Sequence, residues 1–312
     1  MTTNTDIIVQ EVGLRDGLQA VKGIMPTPGK IAWLRALRAA GFRQIQVGSF
    51  VPPQLLPQMA DTVEMVAVAK KMGGFANTVL VPNLRGAQNA IAAGVDQINF
   101  VMSVSEPHNV NNVRKTREGS LDEFARIVQA RDDTPGAENI IVSGGLATCF
   151  GCTIQGPVPP ADVYHYTARL KELGADKIGL ADTVGYGNPA QVKTVYAEVL
   201  DIVGEVPVGA HFHDTRGMGI ANCFAAFEAG ATTIDGAQGG LGGCPHAPGA
   251  TGNVVTEDLV FMLESMGVRT GIDLDLMLEA RAVMIAHLGE EPTYGVFVAA
   301  GRPKGFVPAT AT

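Results

Sequence analysis

Short β-branched or apolar runs alternate with longer helix-like stretches along almost the whole chain, and this alternation limits the fold more than any other feature. "DIIVQEV" is followed by "GKIAWLRALRAAG", "QIQVGSF" by "DTVEMVAVAKKMG", and "FANTVLVP" by "LRGAQNAIAAG". The pattern continues through "QINFVMSV", "NIIVSGGLAT", "DKIGLAD", "VPVGAHFH" and "TTIDGAQ", each with a helical segment behind it, to make eight strand-then-helix units. The helical segments end in Gly41, Gly73, Gly94, Gly174, Gly204 and Gly230, where a left-handed residue suits the turn into the next strand. Strands joined by crossover helices pair in parallel, and eight such units close on themselves. The expected fold is therefore α/β, a (β/α)8 TIM barrel forming one domain over residues 1–312. A C-terminal extension from about residue 270 carries one additional helix, Gly271 to about Leu288, and the last twenty or so residues read as irregular. Two doubly wound domains are the alternative, but no Pro/Gly/Ser-rich linker divides the chain.

Composition narrows the class of ligand. With 23 Lys and Arg against 31 Asp and Glu the net charge is -8, and no basic cluster alternates with aromatics, so a nucleic-acid partner is not expected. No apolar run reaches the length of about 18 that crosses a bilayer, and residues 1 to 14 hold no Lys or Arg, so neither a membrane span nor a targeting peptide is read. The expectation is a cytoplasmic protein that binds a small molecule. Cys149, Cys152, Cys223 and Cys244 are too few and scattered for a disulfide framework. Cys149 and Cys152 form a lone C-x-x-C without a second pair, and buried or pocket-lining thiols are expected rather than a zinc site.

The chain has six histidines, two of which stand two apart in "GAHFHDTRG" at the end of the seventh apolar run. Side chains two apart on a strand point the same way, so His211 and His213 project together into the barrel mouth. The first strand ends in "EVGLRDGLQ", placing Arg15 and Asp16 at the same rim, and the segment after the eighth strand ends in Asn253. Strands one, seven and eight become neighbours on closure, so Asp16, His211, His213 and Asn253 can converge on one metal ion. One carboxylate, one amide, two imidazoles and no thiolate suit Mg2+ or Mn2+ better than a structural zinc. Asn253 taken alone reads equally well as the N-cap of the next helix.

Residues 239–252 hold six glycines and two prolines but neither a phosphate-loop nor a dinucleotide fingerprint. The segment reads as a lid over the mouth that carries Cys244, a thiol able to act as proton donor or nucleophile once water is excluded.

The stretches "EVGLRDGLQ", "IQVGSFVPPQLLPQMAD", "LADTVGYGNP", "HFHDTRG" and "GLGGCPHAPGATGNVVTEDLVFML" together resemble the 3-hydroxy-3-methylglutaryl-CoA lyase family, from about residue 6 to 290. The resemblance implies a carbon-carbon lyase that cleaves a 3-hydroxyacyl-CoA to acetyl-CoA and a keto acid, with coenzyme A as part of the substrate. It further implies a divalent cation on Asp16, His211, His213 and Asn253, Arg15 beside the thioester oxygen, and Cys244 as the catalytic thiol. Lys22 matches a lysine that helps bind the coenzyme A portion, Asp182 a carboxylate at the metal site, and Glu257 another acid nearby. His211, His213 and Asp182 are candidates for proton transfer. Homo-oligomers, dimer or tetramer, are common for barrels of this kind.

Three positions depart from the family pattern. Gln46 stands in "IQVGSF" where the family usually has Glu, Arg216 follows "HFHDT" where an aromatic is common, and His246 follows "GGCP" where Tyr is common. An amide cannot carry negative charge or accept a proton at neutral pH, so these changes make the pocket more positive. They point to an acyl substrate that differs in its carboxylate, such as citramalyl-CoA. An aldolase of a free hydroxy-oxoacid and a non-catalytic protein that binds acyl-CoA and metal are the competing readings.

Overall fold

The computed structural model describes residues 5–242 and 252–311. Eight parallel strands close into a barrel in sequence order: β1 (Ile8–Glu11), β2 (Gln44–Ser49), β3 (Ala76–Val81), β4 (Gln97–Ser103), β5 (Ile141–Ala147), β6 (Lys177–Asp182), β7 (Val208–Phe212) and β8 (Thr233–Gly236). The β1–β8 seam runs in register from Ile8 opposite Thr233 to Glu11 opposite Gly236. This pairing brings the two ends of the alternation together, as the expected (β/α)8 architecture requires.

The surrounding helices are α1 (Thr27–Ala39), α2 (Thr62–Met72), α3 (Leu84–Ala93), α4 (Glu106–Val113), α5 (Arg117–Asp132), α6 (Pro160–Glu172), α7 (Pro189–Val203), α8 (Gly219–Ala229) and α9 (Thr256–Ser265). Their starts follow local chemistry. Asn83 caps α3 by accepting the Gly86 N–H, and Asn188 and Gln191 form a reciprocal capping box on α7. Gly94 closes α3 in the left-handed conformation (φ 73°), which a β-carbon would resist. The core lies between strands and helices and includes Trp33, Phe42, Phe124, Tyr196 and Phe212, all almost fully buried. Truncating one such aromatic typically removes about 3–5 kcal/mol of stability.

Two features differ from the sequence expectation. β4 is followed by two helices, because α4 ("EPHNVNNV") has no apolar periodicity and is held by polar contacts instead. The buried Asn109 side chain accepts the Ser103 N–H (2.8 Å) and donates to Lys115 O and Ser120 Oγ (2.9 Å each). The tail is also less irregular than expected. After α10 (Leu274–Leu288), the short helix α11 (Val296–Ala300) is anchored where Asp258 accepts the Val296 and Phe297 N–H groups, and Phe297 stacks on Phe261 at 4.6 Å. α10 is tied to the barrel through Gln238, which accepts from Trp33 Nε1 (2.7 Å) and donates to Met277 O (2.8 Å). Among the described residues no helix is long and apolar enough to cross a membrane.

Candidate active site

β1 ends in Glu11, whose fully buried carboxylate accepts the N–H groups of Gly13 (2.8 Å) and Gln238 (3.0 Å) and the Thr256 hydroxyl (2.7 Å). Burial pushes its pKa up to about 8. The carboxyl thus ties the turn after β1 to the loops around β8, and the buried pair Arg15 and Asp16 is carried on that turn. The Asp16 N–H donates to Val12 O at 2.7 Å, which fixes the turn at the rim.

His211 and His213 line the same cavity from the end of β7, while Phe212 between them packs on Phe150. His211 Nε2 and His213 Nε2 stand 3.2 Å apart, and each lies 3.8–3.9 Å from Asp16 Oδ2. These ligand atoms all fall within 4.8 Å of one another. Neighbouring donors around an octahedral ion with bonds of about 2.1 Å lie roughly 3 Å apart, so the three groups fit a small divalent cation with little adjustment. Burial would raise the Asp16 pKa, but Arg15, His211 and His213 outweigh it and hold the carboxyl at about 2. Burial, reinforced by His211, lowers His213 to about 4, so its ring is neutral and able to ligate.

Asn253 reaches this cluster from the segment before α9. It is not the helix cap, which falls on Val255. Its Nδ2 donates to Asp16 Oδ2 (2.8 Å) and to Leu241 O (2.9 Å), so the amide meets the site through nitrogen and orients the carboxylate. Arg15 is clamped on two sides, donating through Nε to Gln46 Oε1 and through Nη1 to Asp16 Oδ1. Gln46 is buried on β2 beside an irregularity in the β2–β3 register, and its neutral amide oxygen still positions the guanidinium.

One carboxylate at the centre of this arrangement was not singled out from the sequence. Asp235 on β8 has Oδ2 3.0 Å from His211 Nδ1, and its Oδ1 accepts from Gln10 Nε2 at 2.9 Å. A carboxylate behind a ligating imidazole fixes ring orientation and raises basicity. Burial lowers the His211 pKa, but Asp235 and Asp16 reverse this and leave it raised. The signal was available, because "TTIDG" read with a period of two puts Asp235 on the inward face. Arg15, Asp16, Gln46, His211, His213 and Asp235 border one cavity of about 490 Å3 that reaches from the mouth down to Lys177 inside the barrel.

The HMGL-like family model matches residues 6–284, nearly the whole barrel and its first C-terminal helix. The chain belongs to the HMGL-like family. It is 39% identical over 284 residues to hydroxymethylglutaryl-CoA lyase YngG of Bacillus subtilis, covering 91% of this chain and 94% of that protein. Identity is also 39% to the mitochondrial hydroxymethylglutaryl-CoA lyase of Macaca fascicularis, over 89% of this chain and 85% of the relative. Among solved structures, an HMG-CoA lyase from Acinetobacter baumannii in complex with coenzyme A and 3-methylmalate superposes with a TM-score of 0.89 at 40% identity, over 99% of both chains.

The other positions singled out in this HMGL-like chain are distributed as follows. Lys22 is exposed, two residues beyond Ala20 in the cavity wall, and its N–H donates to Glu291. Asp182 is buried at the end of β6 but does not line the cavity. Its carboxylate accepts the Tyr186 and Gly187 N–H groups (2.9 and 2.8 Å), and burial raises its pKa against those bonds. The exposed Arg216 guanidinium lies over the Tyr186 ring (4.5 Å) and donates to Val184 O and Gly185 O, so it serves the β6–α7 loop and does not border the cavity. Glu257 pairs with Arg281 of α10 at 3.0 Å and accepts the Gly239 N–H. Cys149 and Cys152 are buried free thiols as expected, with Cys149 pushed up to about 12 by burial. Cys244 and His246 lie outside the described residues.

Proposed function

We propose that this chain is a divalent-cation-dependent lyase that splits a 3-hydroxyacyl-CoA between C2 and C3. The proposed substrate is 3-hydroxy-3-methylglutaryl-CoA, or a close relative such as citramalyl-CoA, with acetyl-CoA and a keto acid as products. The observation that carries this reading is the convergence of Asp16, His211 and His213 beside a clamped Arg15 at the barrel mouth. Family membership at 39–40% identity supports the reaction class, and 3-methylmalate in the Acinetobacter structure supports a short, branched hydroxydicarboxylic acyl group.

The donor set suits Mg2+ or Mn2+. When bound, such a cation polarises the oxygens it meets and makes a 3-hydroxyl a stronger acid. Asn253 would offer its amide oxygen as a fourth donor only by turning its amide over, which would give up the Nδ2 bonds to both Asp16 Oδ2 and Leu241 O. Asp235 keeps Nδ1 of His211 occupied, so Nε2, with its single lone pair, would hold the cation, and a carboxylate oxygen of Asp16, which keeps further lone pairs, is our candidate for taking the 3-hydroxyl proton. The hydroxyl oxygen then becomes the ketone, the C2–C3 bond breaks, and its electron pair passes to C2 and the thioester oxygen. Arg15, preorganised by Gln46 and Asp16, stabilises that enolate oxygen, a role in which removing one donor lowers rate about 100- to 1000-fold. Cys244 is our candidate for returning a proton to C2, and Lys22 at the rim for meeting the coenzyme A portion. Asp182 acts by setting the β6–α7 loop, with Arg216 on its outer side.

The test is direct. Pure protein with Mg2+ or Mn2+ is mixed with 3-hydroxy-3-methylglutaryl-CoA and with citramalyl-CoA, and acetyl-CoA is measured with and without EDTA. Cation-dependent acetyl-CoA release is expected from at least one thioester, and no keto acid from the corresponding free acids. Release from neither thioester, or turnover of free hydroxy-oxoacids alone, overturns the reading.

A further inference from the structure

TIM-barrel interiors are normally filled by layers of Val, Ile and Leu. Here polar side chains stand among the apolar ones beneath the rim. Gln10, Gln44, Gln97, Asn99, Lys177 and Asp235 come from five strands, all but Gln44 border the cavity, and glycines at 145, 179 and 209 stand where branched residues would close it. Most of these groups satisfy one another. Gln44 Nε2 donates to Gln97 Oε1 (2.8 Å), Gln97 Nε2 to Asn99 Oδ1 (2.6 Å), and Gln10 Nε2 to Asp235 Oδ1 (2.9 Å).

The chain of bonds leaves specific groups over. Asn99 Nδ2 and Gln10 Oε1 are buried without a hydrogen-bond partner among the described residues, although the Gln10 side chain is only 4% exposed. Lys177 Nζ donates to Thr233 Oγ1 at 3.0 Å, which uses one of its three protons. Its side chain climbs past Gly209, where a β-carbon would lie 3.1 Å from Cε and 3.6 Å from Nζ. The ammonium therefore sits near the level of Gly209, one two-residue strand step, roughly 7 Å, below His211. A buried polar atom without a partner costs about 1–3 kcal/mol, so an orphaned donor, Asn99 Nδ2, lining the same cavity as a buried ammonium marks a place where an anionic ligand completes the bonding.

We propose that this well is the subsite for the distal carboxylate of the acyl group, with Lys177 as its cation and Asn99 Nδ2 as a second donor. The inference rests on the acyl-CoA lyase reading and specifies which acyl groups that site selects. The 3-hydroxyl stays at the rim beside Asp16 and His211, and the acid arm runs down the barrel axis to Lys177. An ionised carboxylate donates no hydrogen bond, so Gln10 Oε1 takes no part in this pairing. Burial lowers the Lys177 pKa to about 8, with Asp235 opposing that shift, so the amine is still largely charged near neutral pH and gains most from an anionic partner.

The test compares two thioesters that differ only in the acid arm, 3-hydroxy-3-methylglutaryl-CoA and 3-hydroxy-3-methylbutyryl-CoA. Binding is measured by calorimetry in EDTA, which removes any cation and prevents turnover. The wild-type protein is expected to bind the carboxylate-bearing thioester about 10- to 100-fold more tightly, and Lys177→Met to abolish that difference while leaving affinity for the butyryl compound unchanged. Equal wild-type affinities, or a preference that survives in Lys177→Met and in Asn99→Leu, overturns the proposal. The wild-type comparison needs no variant to fold. A protein that shows the preference but cleaves neither thioester keeps the subsite and loses the lyase reading, so the two failures are distinct.

Discussion

Asp235 Oδ2 lies 3.0 Å from His211 Nδ1, on the side of the ring facing away from His213 and Asp16. The neighbouring strands β7 and β8 thus supply an imidazole and the carboxylate that sets its orientation. Asp235→Asn keeps the shape but lets the amide present either a donor or an acceptor to Nδ1. Affinity for Mn2+, measured by calorimetry, is expected to fall about 10- to 100-fold while the melting temperature of the cation-free protein changes little. An unchanged Kd would show that Asp235 does not position the ring.

The histidine pair predicts a pH response of definite sign. His213 has its pKa lowered from 6.5 to about 4, mainly by burial and then by His211, so folding favours its neutral form. That contribution to stability is fully present above pH 6.5 and is lost as pH falls through about 4. His211 is shifted the other way, so protons compete for its ring already above pH 6.5. Cation affinity should therefore weaken in two stages, with one proton taken up near and above pH 6.5 and a second only toward pH 4. A single two-proton step would contradict this assignment.

Gln46→Glu returns the acid that the resemblance leads one to expect and keeps an acceptor for Arg15. With a carboxylate able to take part in proton transfer, turnover of 3-hydroxy-3-methylglutaryl-CoA should rise about tenfold or more. Steady-state kcat is the readout, and no change would mean that Gln46 acts only by holding the guanidinium.

Gly242 sits at φ 104°, and a β-carbon there would fall 2.4 Å from Asn253 Nδ2 and 3.0 Å from Asp16 O. Gly242→Ala should weaken cation binding and lower stability by about 1–3 kcal/mol. Gly267 is the control, with φ 82° and open space around it, so Gly267→Ala should lower the melting temperature without touching cation affinity. Equal effects on cation binding from both variants would exclude the local clash as the cause.

Much of this was legible in the residues themselves. Strand-helix alternation gave the barrel, and the rule that strand ends face the mouth located Asp16, His211 and His213. What escaped lies where other forces decide. α4 is held by the hydrogen bonds of Asn109, which leave no periodic trace. Arg216 is only three residues from His213, but the chain turns there, with the Gly217 N–H on Asp214 O, and sends the guanidinium to the β6–α7 carbonyls. Asp235 and Lys177 were within reach of the period of two, but a reading centred on strand ends passes over polar residues deep inside a barrel. Asn253 was found by convergence, whereas the direction of its amide depends on Leu241 O, a long-range contact that spacing does not reveal.

The central claim is that Asp16, His211 and His213 together hold one divalent cation. Titration calorimetry with Mn2+ tests it most directly. The wild-type protein is expected to take up one ion per chain, and Asp16→Ala and His213→Ala, each folded by circular dichroism, to take up none in the same concentration range. Uptake that persists unchanged in both variants contradicts the account.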